Sequence, residues 1–138
     1  MRLPTFAATA LLAGLALPGI ALAQMDDATA RRCAEAEAKY ADLIGHPPAA
    51  EPVTVVIMYK YSFCPPQLGV AAGTTVRWVN LDRAGHNVWF RAAGEPEPER
   101  IYRTESVETT FATPGEHPYV CGPHWESHAM MGSVTVTP

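Results

Sequence analysis

The chain has 138 residues, of which 48% are hydrophobic and 17% charged, which leaves room for one globular domain and excludes a multidomain enzyme. Ten basic residues against fourteen acidic ones give a formal net charge of −4, so the positive footprint of a nucleic-acid binder is missing.

The first segment reads as a targeting signal. After Arg2 an apolar run from Phe6 to Leu22 ends in Ala21-Leu22-Ala23 before Gln24, the small-x-small form of a secretory cleavage site. A membrane span needs about 20 unbroken apolar residues, and Pro4, Gly14 and Pro18 interrupt this run. Residues 1–23 are therefore expected to be a signal peptide. The rest is expected in the periplasm, with no transmembrane segment after signal removal, where disulfides are permitted.

Next comes one helix. Asp27 to Gly45 is rich in helix formers, with an Asp at its start and a Gly stop before His46-Pro47-Pro48. Cys33, Ala36, Tyr40 and Leu43 fall on one stripe, which needs a surface to lie on. Residues 24–50 thus read as a helix and linker attached to a larger body.

That body, residues 51–138, reads as strands. In PVTVVIMYKYSF the odd positions Val53 to Phe63 are all apolar, which predicts one strand buried on one face. Val76 and Trp78 alternate with Thr75 and Arg77, HNVWF repeats the pattern, and SVETTF, HPYVC and GSVTV supply three more short runs. Turn chemistry at Pro65-Pro66, Gly73, Asn80 to Gly85, Gly94 to Glu99 and Pro114-Gly115 separates them. The expectation is an antiparallel β-sandwich or barrel with Trp78 and Phe90 in its core.

Chemistry concentrates between the last two runs, in Tyr119 to Gly132. Cys121, His124 and Met130 place a thiolate, an imidazole and a thioether within ten residues. Such soft ligands suit copper cycling between two oxidation states, whereas calcium and magnesium would take oxygen. A second imidazole, His86, opens another strand-like run. Two imidazoles and one thiolate make a trigonal set, and a weak Met completes it.

Together YSFCPPQLGVAAGTTVRWVN, AGHNVWF and TPGEHPYVCGPHWESHAMMGSVTV resemble, in order, the cupredoxins, type 1 blue copper proteins of the plastocyanin and pseudoazurin kind. The resemblance covers about residues 52–137. It implies an all-β Greek-key sandwich, here with an added N-terminal α-helix, and an electron carrier rather than an enzyme. It implies one copper ion held by His86, Cys121, His124 and Met130, with Met130 placed by the frame Met130-Met131-Gly132-Ser133-Val134. Asn87 matches the position that ties the two ligand loops together. Trp125 and Met131 would surround the exposed edge of His124 as a docking patch for redox proteins such as a c-type cytochrome, an oxidase or a dehydrogenase. A monomer is expected.

One departure concerns the fourth ligand. His124 to Met130 spans six positions, one more than plastocyanin and pseudoazurin usually have, and His128 lies inside that loop. A competing set uses His86, Cys121, His124 and His128, as in red copper variants of the family. A copper storage or delivery protein is a further alternative. With Cys121 given to copper, Cys33 and Cys64 remain as an even pair, which an oxidising compartment would join. His46 and His117 are read as surface or cap residues, and Glu95 to Glu99 as a loop that either is solvated or faces a basic partner.

Overall fold

The computed structural model describes residues 25–138, so the expected signal peptide at residues 1–23 lies outside the described residues. The first element is helix α1 (Asp27–Ile44). Its cap is Asp26, which accepts from the backbone N–H groups of Ala28 and Thr29, one position ahead of the expected start. Gly45 ends it at φ 95°, a left-handed conformation that glycine adopts without a Cβ penalty. Among the described residues no helix is long and apolar enough to cross a membrane.

Seven strands follow: β1 (Thr54–Tyr59), β2 (Ser62–Cys64), β3 (Gln67–Ala71), β4 (Thr74–Asn80), β5 (Ser106–Phe111), β6 (Gly115–Val120) and β7 (Met131–Thr137). A one-turn helix α2 (Trp125–His128) precedes β7. The strands form two sheets, ordered β2-β1-β4-β5 and β3-β7-β6, and the sandwich they make is the all-β class expected.

Three details of strand pairing depart from what the sequence predicts. The run Val53 to Phe63 is a hairpin, not one strand: Lys60 and Tyr61 take φ 48° and 56° and reverse the chain so that Tyr59 pairs with Ser62. The sheets are mixed rather than antiparallel. After β2 the chain leaves the first sheet to lay down β3 in the second, then returns as β4 beside β1 in the same direction; β3 and β7 are likewise parallel. Finally, His86 to Phe90 forms isolated bridges, because its two ends have different partners. His86 exchanges both backbone bonds with Ile101, and Trp89 exchanges both with Val120 of β6.

β1 is covered on both faces, not one. Val56 and Met58 enter the sandwich interior, where buried Trp78 meets the edges of half-buried Phe90 and of Phe111 and Tyr119 at centroid distances of 5.4–6.2 Å. Val55, Ile57 and Tyr59 point the other way and meet the α1 stripe Cys33, Ala36, Tyr40 and Leu43. Most helical stability in a protein comes from packing of an apolar face, and here the apolar stripe and a Cys33–Cys64 disulfide hold α1 to the sheet, with Cα atoms 5.1 Å apart. The expected pairing is present.

Candidate metal centre

The site lies at one end of the sandwich, where the segment after β4 meets the β6–β7 loop. Asn80, at the end of β4 and fully buried, donates to the carbonyls of Ala84 and Ile101 and accepts from the Asp82 N–H. This shapes the turn that carries His86. Asp82 Oδ2 then lies 2.9 Å from His86 Nε2. A carboxylate accepts, so Nε2 carries the ring proton and Nδ1 presents its lone pair inward.

Cys121 sits just after β6. Its carbonyl accepts from the N–H groups of His124 and Trp125 at 3.0 and 2.8 Å, a tight turn that brings a side chain three positions on back over the sulfur. Its N–H donates to the Met130 carbonyl at 2.9 Å and closes the loop at its base. Ala129, at φ 50°, ends α2 and turns the chain into β7.

These local folds bring three donors together. Cys121 Sγ is 3.4 Å from His86 Nδ1 and 3.4 Å from His124 Nδ1, and the two nitrogens are 3.0 Å apart. Among the described residues, these are the three His, Cys, Asp or Glu side chains whose donor atoms all lie within 4.8 Å of one another. His86 and Cys121 are fully buried and His124 is half-buried. Converging lone pairs in so dry a place call for a cation between them. Burial, helped by the neighbouring His86 and His128, holds the His124 imidazole below its ordinary pKa and so keeps it a neutral donor. Burial also pushes the Cys121 thiol up, against the Asn87 and His124 backbone N–H groups that point at the sulfur; metal uptake therefore releases a proton.

The other expected residues fall around this set. Met130 is buried beside Cys121 in the sandwich core. His128 is exposed; its ring stacks on Tyr61 at 4.1 Å and 11°, and its Nδ1 lies 2.8 Å from Ser127 Oγ. Asn87 Oδ1 accepts from Gly122 N–H at 2.7 Å, while its amide donates to Glu97 Oε1 and the Pro98 carbonyl at 3.0 and 2.9 Å. Trp125 is half-buried under the Arg91 guanidinium at 4.7 Å, and Met131 is 50% exposed. His117 contacts the Thr113 carbonyl, and His46 lies near Glu51, both away from the donors.

Three contributors escaped the sequence reading. Asp82 stands four positions before His86, yet in sequence it is one polar residue of a turn. Glu97 belongs to a loop expected either to be solvated or to face a basic partner; it is exposed, yet it also accepts from the Asn87 amide and occupies the space a Gly122 side chain would need. Tyr61 had no signal at all, since Lys60-Tyr61 lacks the Asn or Gly usual in such a turn.

Residues 53–137 match the family model described as copper binding proteins, plastocyanin/azurin family. The chain belongs to this family. Over 77 residues it is 34% identical to amicyanin-alpha of Methylorubrum extorquens, covering 51% of this chain and 63% of that protein. It is 36% identical to chloroplastic plastocyanin of Physcomitrium patens over 85 residues, 54% of this chain and 50% of that one. The chain thus spans less than two thirds of the curated relatives it matches. A solved structure of a reduced amicyanin variant superposes with a TM-score of 0.57 at 30% identity, covering 64% of this chain and 85% of that one. A plastocyanin/azurin-type chain binds copper, and two imidazoles with one thiolate are a donor set that suits this metal.

Proposed function

We propose that the protein is a periplasmic electron carrier in which His86, Cys121, His124 and Met130 hold one copper ion. The convergence of two Nδ1 atoms and one Sγ within 3.4 Å inside a closed sandwich carries this reading. Bound copper would supply a one-electron couple between Cu(I) and Cu(II). The chain's own part is to keep the donors fixed while the charge changes. Asp82 fixes the His86 tautomer, Asn87 ties the segment of His86 to the loop of Cys121, and the Cys121–Met130 backbone bond closes the loop.

Buried Met130 is the fourth donor in this reading, and exposed His128, stacked on Tyr61, is not. Half-buried His124 gives the electron its way out, with Trp125 and Met131 as the surface met by redox proteins such as a c-type cytochrome, an oxidase or a dehydrogenase. The Cys33–Cys64 disulfide supports an oxidising compartment reached through a signal peptide at residues 1–23.

The visible and EPR spectra of the Cu(II) protein test this. An intense blue sulfur-to-copper band with narrow hyperfine splitting is expected, stable through repeated reduction and oxidation. A red, tetragonal spectrum would replace Met130 by His128. Loss of copper on each reduction would replace the carrier by a storage or delivery protein.

A further inference from the structure

Tyr61 occupies a backbone position that suits another residue type. It is the second central residue of the β1–β2 turn, where φ 56° follows φ 48° at Lys60. Two-residue turns with both central residues in this region favour Asn and Gly, and a bulky side chain persists there only when its surroundings demand it. Here the surroundings are three imidazoles. The Tyr61 ring lies edge-on to His86 at 5.5 Å and to His124 at 4.8 Å, and parallel to His128 at 4.1 Å.

The turn is anchored from two sides. The Asp82 carboxylate accepts from the N–H groups of Lys60 and Tyr61 at 2.9 and 3.1 Å while also holding His86. On the outer side, Glu35 of α1 pairs with the Lys60 ammonium, and Arg32 donates to Ser62 Oγ at 2.8 Å. Tyr61 is therefore fixed relative to the donors.

His128 needs such a neighbour. It follows His124 by one helical turn, its N–H bonded to the His124 carbonyl at 3.0 Å, and the two ring centroids are 5.7 Å apart. An imidazole this near competes for Cu(II), which prefers nitrogen donors in a tetragonal arrangement over a thioether. The face of its ring is taken up by Tyr61.

We propose that Tyr61 is a positioning residue that parks His128 outside the donor set and so keeps Met130 as the fourth donor. This rests on the copper-carrier reading above. Removing the phenol ring frees His128 to enter, hardens the donor set, and lowers the reduction potential by favouring Cu(II).

The test compares copper-loaded wild type, Tyr61→Phe, Tyr61→Asn, His128→Ala and Tyr61→Asn with His128→Ala, by visible and EPR spectra and by potential. Asn suits a φ of 56°, and Tyr61→Gly gives a second ring-less hairpin should the first fail to accumulate. Wild type and Tyr61→Phe are expected to be blue. Tyr61→Asn should show at least a doubling of the shorter-wavelength band relative to the blue one, wider hyperfine splitting and a lower potential, all reversed by adding His128→Ala. A ring-less variant with wild-type spectrum and potential overturns the proposal, as does a changed spectrum that His128→Ala leaves unreversed. A wild type that is red and turns blue on His128→Ala alone overturns the Met130 assignment instead, which separates the two failures.

Discussion

The two faces of β1 are fastened in different ways. On the inner face Val56 and Met58 join an apolar interior that runs on to Cys121 and Met130, so this core ends beside the converging side chains of His86, Cys121 and His124. On the outer face Val55, Ile57 and Tyr59 meet α1, and the contact is closed by the chain itself through the Cys33–Cys64 disulfide and a Tyr40–Glu51–Arg77 chain of polar contacts. A domain this small has a limited core. In the proposed copper-carrier reading the inner fastening gains from bound metal, whereas the outer one is closed by the chain alone.

The largest expected effect separates the faces directly. Cys121→Ser should abolish the blue colour and the rise in Tm on adding copper, a stabilisation of about 4 kcal/mol where free metal exceeds Kd a thousandfold. Scanning calorimetry with and without copper checks this; a copper-dependent Tm shift surviving in the variant would break the comparison. Next, Cys33→Ala with Cys64→Ala opens a crosslink between positions 31 apart, worth about 3 to 4 kcal/mol by chain entropy. Urea titration should show that loss while the visible spectrum stays as in wild type. A changed spectrum would mean that the outer face reaches the metal through the β1–β2 hairpin.

Smaller effects sharpen the contrast. Asn87→Ala leaves the Gly122 N–H and Glu97 without their buried partner, costing about 1 to 3 kcal/mol, and copper dissociation measured with a chelator should speed up as the two ligand segments loosen. Tyr40→Phe removes the hydroxyl that donates to Glu51, about 1 kcal/mol near pH 8. Its signature is alkaline. Burial, then the Glu51 carboxylate, pushes the Tyr40 phenol up to about 12, above the value of about 10 in an unfolded chain. The phenol's contribution is thus complete below pH 10 and is lost as pH rises through 12. The gap between wild type and Tyr40→Phe should shrink between melts at pH 8 and pH 11; a constant gap would contradict the burial assigned to this ring.

How much of this was readable follows the same division. Cys121 and His124 were legible because they crowd into one loop and carry chemistry by residue type alone, and the helix stripe was legible because its spacing leaves one apolar face. β1 is only half legible: its apolar odd positions predict one buried face, yet Val56 and Met58 between them are apolar too, which marks a strand covered on both sides. The hairpin was hidden because Lys60-Tyr61 lacks turn chemistry, and with it went the position of Tyr61. The parallel pairings depend on which sheet the chain enters after β2, which no local pattern encodes. Asp82 acts through a contact to one ring nitrogen, and its carboxylate looks in sequence like any loop acid.

The order of the cysteines along the chain bears on how the protein matures. Synthesis runs from the N-terminus, so Cys33 and Cys64, partners on α1 and β2, both exist well before Cys121 is made. In the proposed export, N-terminus first into an oxidising compartment, an oxidant would meet this pair before Cys121. Cys121 would then arrive with no cysteine left to mispair with, and its burial in the sandwich would shield the free thiol from oxidants.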